Sequence, residues 1–96
     1  MKRIGLIKMD EEREARISLA PGEISPNHYH SSVVEEVFCL SGEIDIVIAG
    51  NKKRLVPGGA CKIEPLVSHY LMNPSTGKAE YLLRQKGVYD FVHINS

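Results

Sequence analysis

The sequence predicts an all-β protein, folded as an antiparallel sandwich or barrel. Short apolar runs recur at close and regular intervals along the 96 residues, and turn-forming residues separate most of them. No segment carries the apolar stripe of a long helix. The best helical window, MDEEREARI at 9–17, is short and lacks that stripe. We therefore expect strands throughout the chain.

Ten apolar runs are predicted as strands. In chain order they are RIGLIK (3–8), EARISLA (14–20), NHYH (27–30), EEVFCLS (35–41), EIDIVIA (43–49), KKRLV (52–56), ACKIE (60–64), SHYLMN (68–73), AEYLLRQ (79–85) and YDFVHI (89–94). The turn signals between them are Pro21-Gly22, Ser41-Gly42, Gly50-Asn51, Pro57-Gly58-Gly59 and Asn73-Pro74. No linker or segment of biased composition interrupts the series, which predicts one domain over residues 1–96.

Composition and charge exclude several classes of partner. Twelve basic and twelve acidic residues cancel, and the densest basic run, NKKR at 51–54, has the character of a solvated hairpin tip, so we expect no nucleic-acid partner. The N-terminal region has no apolar run long enough for a secretory signal or a membrane helix. Cys39 and Cys61 form no C-x-x-C pair or disulfide framework. We expect a cytoplasmic protein with reduced thiols and no membrane partner.

Two histidines, His28 and His30, lie two positions apart in a predicted strand. Alternate side chains of a strand point to the same face, so both imidazoles would face one side. Two neutral imidazoles on one face can chelate a metal, and the alternative is a pair of surface histidines in a loop. Glu35 lies at an odd offset from His30, so residues 31–34 must bend if Glu35 is to join the pair. His69 lies in a later strand.

The spacing of these residues resembles the first signature motif of the cupin superfamily. Gly22 is followed after five residues by His28 and His30, then after four residues by Glu35, and after six more by Gly42. Every defined position of that motif is filled.

The second cupin motif is matched in part. Gly58, His69 and Asn73 stand at the expected distances, but Glu64 occupies the proline position and Leu66 the second glycine position. The two motifs span residues 22–73, and the departures fall on backbone-shaping positions.

The resemblance implies a single cupin β-barrel, that is, a double-stranded β-helix or jelly roll, with one metal ion inside it. Carried over by position, the metal ligands are His28, His30, Glu35 and His69. Three imidazoles and one carboxylate suit Fe, Mn, Ni, Co, Cu or Zn as a divalent ion. Four protein ligands leave room on the ion for a small polar organic molecule to bind directly. The implied function is a metalloenzyme of oxygenase, isomerase, cyclase or lyase type.

Two other functions stay open. The chain is alternatively a non-catalytic module that binds a small molecule through the metal, or a barrel in which the metal is only a structural staple. Without a metal, His28 and His30 would line a polar pocket.

Other residues near the motifs carry simpler expectations. His93 matches no motif position and is expected to be an ordinary histidine. Glu36 is an alternative ligand to Glu35, but the count to Gly42 favours Glu35. Cys39 is expected to be a small buried hydrophobe rather than a redox-active thiol. Asn73 is expected to stabilise the turn at Pro74.

Strand alternation also predicts which apolar side chains face outward. If Glu35 points inward, Val37 and Cys39 follow it and Glu36 points away. The outward apolar set is then Phe38, Leu40, Tyr70 and Met72. Exposed apolar surface of this kind, together with the pairing common among cupins, predicts a homodimer.

Overall fold

The computed structural model describes residues 1–9 and 11–94, and these form strands, turns and loops with no helix. The strands are β1 (Lys2–Met9), β2 (Glu12–Leu19), β3 (His28–Tyr29), β4 (Val34–Ser41), β5 (Ile44–Ile48), β6 (Asn51–Leu55), β7 (Ala60–Ile63), β8 (His69–Met72), β9 (Ala79–Lys86) and β10 (Val92–His93). The predicted all-β class is confirmed. Within this part of the chain no helix is long and apolar enough to cross a membrane.

The strands form two five-stranded antiparallel sheets that pack face to face. The first sheet has the order β1-β2-β9-β4-β7 and the second the order β10-β3-β8-β5-β6. Their inner faces share one apolar core, to which the first sheet contributes Ile17, Val37 and Tyr81 and the second contributes Ile44 and Leu71. This arrangement is the jelly roll that the motifs imply.

The alternation predicted for β4 is confirmed. Val37 and Cys39 are buried in the core, whereas Glu36 and Phe38 are half-buried and Leu40 is exposed. The outward apolar side chains do not form one surface, because Phe38 and Leu40 lie on the first sheet and Tyr70 and Met72 on the second.

The chain changes sheets between His30 and Glu35. β3 belongs to the second sheet and β4 to the first, and the bend at Ser31 and Ser32 makes the crossing. The bend predicted within residues 31–34 is therefore confirmed. It points Glu35 back toward the histidines from the opposite sheet.

Two of the predicted strands are reduced to two residues each in the structure. NHYH forms a ladder only at His28–Tyr29, and YDFVHI only at Val92–His93. The reason lies in Asp90, whose carboxylate accepts hydrogen bonds from the backbone N–H of Ser31 at 2.7 Å and from its hydroxyl at 2.6 Å. These bonds hold the segment before β10 as a loop against the bend.

A close backbone approach explains the glycine that ends the first motif. Gly42 has a φ of +72°, and a Cβ there would lie 2.8 Å from the carbonyl oxygen of Lys78. Only glycine fits both the left-handed conformation and this contact without strain. The turn after β4 therefore packs directly on the segment that leads into β9.

Candidate metal centre

Three histidines and one glutamate converge inside the sandwich. One candidate ligand atom from each of His28, His30, Glu35 and His69 lies within 4.8 Å of the others. All four side chains are buried, with 9% exposure or less. The second sheet supplies His28 and His69, which are paired across β3 and β8, and the first sheet supplies Glu35. Residues distant in sequence thus meet at one point.

Backbone carbonyls fix the orientation of all three imidazole rings. His28 Nδ1 lies 2.8 Å from the carbonyl oxygen of Pro26, His69 Nδ1 lies 3.0 Å from that of Val67, and His30 Nδ1 contacts that of Asp90. A carbonyl oxygen can only accept, so each Nδ1 carries the hydrogen and donates it. In the neutral ring the Nε2 lone pair is then free to bind a metal, the usual arrangement behind histidine ligands.

Glu35 is held as a carboxylate. Burial would raise the pKa of its carboxyl, but the adjacent imidazoles of His30 and His69 more than offset this and lower the pKa to about 2. Gln85 donates from Nε2 to Glu35 Oε1 at 3.3 Å. A permanently negative oxygen therefore faces the three rings.

Gln85 is a site residue that the sequence reasoning missed. It is buried on β9, at 7% exposure, and is paired with Glu35 of β4. The alternation in AEYLLRQ carried the signal, because Ala79, Tyr81, Leu83 and Gln85 share one face. Gln85 is the polar residue at the end of this apolar face, and a polar residue in such a place is a candidate for a buried hydrogen bond.

The imidazoles differ in their affinity for a proton. Burial lowers the pKa of His28 below its usual value and outweighs the hydrogen bond to Pro26. Burial also acts to lower the pKa of His30, but contacts with Glu35 and Asp90 outweigh it and raise that pKa. His28 is thus neutral at pH 7. Of these two imidazoles, His30 binds a proton more readily.

The donor set fits a metal ion. Nε2 of His30 and of His69 are buried, and neither has a well-aligned hydrogen-bond partner among the described residues, although both lie near Glu35 Oε1. Buried polar atoms are nearly always satisfied, so two orphaned nitrogens beside a carboxylate indicate a missing partner. A divalent transition metal satisfies two lone pairs and one negative charge together.

A cavity of about 90 Å³ opens beside these ligands. Its walls include apolar side chains of both sheets, among them Ala15 and Leu71, and two basic residues, Arg3 and Arg13. The loop before β10 closes one side, where the Phe91 ring stacks on His28 with centroids 4.3 Å apart and planes 15° from parallel. The site is therefore enclosed but reachable by a small molecule.

The neighbouring candidates lie outside the cluster. Glu36 is half-buried on the outer face, and His93 is exposed, although β10 places it opposite His28. Cys39 is buried in the core, and burial raises the pKa of its thiol, which keeps it protonated and unreactive. The burial expected of Cys39 is confirmed, and Glu36 and His93 lie apart from the four converging side chains.

Asn73 has the turn-stabilising role expected of it. Its side chain is fully buried and donates to the carbonyl oxygens of Leu19 at 3.1 Å and Gly77 at 2.7 Å. Its Oδ1 accepts from the backbone N–H and the hydroxyl of Ser75. Asn73 thus closes the turn after β8 and joins it to β2.

Leu66, which stands at the second glycine position of the second motif, has a backbone conformation that favours glycine. Its φ is +68°, in the left-handed region. In this conformation its N–H donates to the carbonyl oxygen of His30 at 2.8 Å. The loop leading to His69 is thereby joined to the segment that carries His30.

Comparisons with known proteins agree with the fold. A family model described as a cupin domain, Cupin_2, matches residues 15–83. A comparison with curated proteins finds no match. Among solved structures, the chain is similar to the Schizosaccharomyces pombe Cnp3 cupin domain, with 11% identity and a TM-score of 0.84 over 90% of this chain and 64% of that one.

Two further structures are similar. An oxalate oxidase has 20% identity and a TM-score of 0.80 over 88% of this chain and 46% of that one. A Cupin_2 domain of an XRE family transcriptional regulator from Enterobacter cloacae has 26% identity and a TM-score of 0.76 over 83% of each chain. The chain spans less than two thirds of the length of the Cnp3 and oxalate oxidase structures.

Proposed function

The chain belongs to the cupin family, and on that basis we propose that it is a mononuclear metalloenzyme acting on a small polar organic molecule. The observation that carries the proposal is the convergence of four ligand atoms within 4.8 Å, in a buried site beside a cavity. The proposed ligands are His28, His30, Glu35 and His69.

The chain's own residues prepare this site before any ion binds. The three backbone carbonyls aim the imidazole Nε2 atoms inward, and Gln85 holds the Glu35 carboxylate in place. Phe91 and the apolar walls limit water at the site, which strengthens electrostatic interactions there. A divalent ion bound at these ligands would supply Lewis-acid or redox chemistry to a coordinated oxygen of the substrate.

A probe of the free coordination positions tests this proposal. Cobalt- or copper-loaded protein is titrated with azide and followed by visible absorption. Four protein ligands leave at least one position open, so a spectral change that saturates is expected. No change would contradict the enzyme proposal and favour the structural staple.

Removal of the metal with a chelator distinguishes a catalytic metal from a purely structural one by its effect on the melting temperature. A catalytic metal should be removable with the barrel largely intact, whereas loss of a staple should lower the melting temperature substantially. Circular dichroism melting before and after treatment with a chelator, with elemental analysis of both samples, gives the answer.

A matched pair of carboxylate variants tests the assignment of Glu35. Glu35→Gln keeps the size of the side chain but removes its charge, so metal affinity should fall. Glu36→Gln changes a half-buried residue on the outer face and should leave metal affinity unchanged. Equal effects in both variants would contradict the assignment.

A second candidate function is a metal-dependent binding module without turnover. The 26% identity to a cupin domain of a transcriptional regulator favours it. A module of this kind would bind the azide probe as an enzyme would, and it would convert no small molecule. Turnover of any coordinating substrate by the metal-loaded protein excludes it.

We also propose a cytoplasmic homodimer. The free thiols of Cys39 and Cys61 suit a reducing compartment. The outer face of the first sheet, where Phe38 and Leu82 are paired and Leu40 is exposed, supplies apolar area for a self-complementary contact. Light scattering at micromolar concentration should give twice the 10.7 kDa chain mass, and a monomer mass contradicts it.

A further inference from the structure

We infer that the cavity takes a small carboxylic acid, whose negative charge pairs with the guanidinium of Arg13. The inference rests on the proposed function, because another oxygen of the same molecule would bind the metal. It adds the substrate's chemical class and the residue that selects it.

Arg13 lies on the same inner row as the metal ligand Glu35. The register pairs Arg13 of β2 with Gln85 of β9, and Gln85 with Glu35 of β4. Directly paired residues point to the same face of a sheet, so these three side chains form one row facing the cavity. Arg13 is two strands from Glu35, roughly 10 Å across the sheet. The long side chain of Arg13 covers part of this distance. A molecule of a few atoms spans the rest, from the guanidinium to a metal held by Glu35.

The Arg13 side chain has unused hydrogen-bonding capacity. Its Nε is buried and has no hydrogen-bond partner in the part of the chain that the structure describes. The acidic residues beside it on β2, Glu12 and Glu14, pair with Lys86 and Arg84 instead. A buried donor left without an acceptor is unfavourable, so the site favours a ligand that supplies one.

The geometry of Arg13 suits a carboxylate. Its guanidinium carbon lies over the Tyr89 ring, 3.7 Å from the ring centroid, and this contact limits the positions that the group can take. A planar guanidinium presents its N–H groups along its edge, in the spacing of two carboxylate oxygens. Tyr89 thus packs against Arg13 without accepting a hydrogen bond from those N–H groups.

Charge and size agree with a small anion. Arg3 and Arg13 both line the cavity, and Glu35 is the sole acidic residue among its described lining residues. A divalent metal would add two further positive charges. The cavity of about 90 Å³ is small, so it takes a molecule of only a few heavy atoms. The ligand is therefore a short acid with a second oxygen for the metal.

A pair of probes of equal size tests the inference. Cobalt-loaded protein is titrated with malonate and with malonamate, in which a neutral amide replaces one carboxylate. Wild-type protein should bind malonate about tenfold more tightly, the usual effect of a charge-assisted hydrogen bond. In Arg13→Gln the ratio should fall severalfold, because only Arg3 and the metal then favour the second negative charge. Arg16→Gln is the matched control, because Arg16 is on the same strand but is exposed and pairs with Glu80.

The ratio of the two affinities separates binding from a structural role. If Arg13 only packs on Tyr89, then Arg13→Gln weakens both probes equally and the ratio stays near ten, which overturns the inference. Arg13→Lys keeps the positive charge but loses the planar guanidinium with its paired N–H groups. It should therefore give a ratio between those of wild type and Arg13→Gln. Cobalt content is measured in every variant. Wild-type protein that binds cobalt and azide without preferring malonate contradicts this inference alone, whereas failure to bind cobalt contradicts the proposed function as well.

Discussion

The left-handed backbone of Leu66 makes a quantitative prediction about the altered second motif. The side chain of Leu66 is 68% exposed and φ is +68°. This conformation costs an L-residue about 1–2 kcal/mol, whereas glycine adopts it freely. The hydrogen bond from the Leu66 N–H to the carbonyl oxygen of His30 offsets part of this strain.

The comparison of L66G with L66A isolates the strain, because both variants remove the same exposed side chain. Alanine keeps the Cβ and its clash. Glycine relieves that clash, but its greater freedom in the unfolded chain costs about 0.4–1 kcal/mol. The balance predicts that L66G is more stable than L66A by about 0.5–1 kcal/mol.

Urea unfolding followed by circular dichroism measures this difference. Glu64 provides the control, since it is exposed, lies two residues earlier, and has no positive φ. At Glu64 the order should reverse, with the alanine variant more stable than the glycine variant by about 0.5–1 kcal/mol. Alanine being the more stable substitution at both positions would refute the reasoning.

Three further predictions concern the turn, the loop and pH. Asn73→Ala should lower the free energy of unfolding by about 3 kcal/mol, because two carbonyls and the Ser75 N–H lose their partner. Urea unfolding measures this loss, and a loss under 1 kcal/mol contradicts the prediction. Gly87→Ala should lower the free energy of unfolding by about 3 kcal/mol or more in the same assay, because the new Cβ would overlap the Ser32 carbonyl at a φ of +127°. Gly77→Ala, the control, should leave that free energy nearly unchanged. Metal content after dialysis should fall below about pH 6, because protons compete at imidazoles such as His30, whose pKa is raised; full retention at pH 4 contradicts it.

The cluster of three histidines and one glutamate could be predicted because its residues stand at the spacing of the cupin motifs. The two histidines of NHYH share a face by strand alternation. The resemblance of residues 22–42 to the first cupin motif favours Glu35 over the neighbouring Glu36. His69 follows from the second motif. In the structure these four side chains meet within 4.8 Å.

The residues around the cluster could not be predicted, because their positions depend on strand order. Arg13 and Gln85 face Glu35 only because β9 lies between β2 and β4 in the first sheet. Neither the length nor the pattern of a strand determines which strand becomes its neighbour. Asp90 was missed for a related reason, since its contacts with Ser31 and with His30 join segments about sixty residues apart.

Metal stoichiometry of matched histidine variants tests the central claim most directly. Elemental analysis of the purified wild-type protein, from its native host, should give about one transition-metal ion per chain. His28→Ala, His30→Ala and His69→Ala should each lower that stoichiometry severely, because each removes one of four converging ligands. His93→Ala, which alters an exposed histidine outside the cluster, should keep the wild-type value. Unchanged metal content in the three cluster variants, or an equal loss in His93→Ala, would contradict the account.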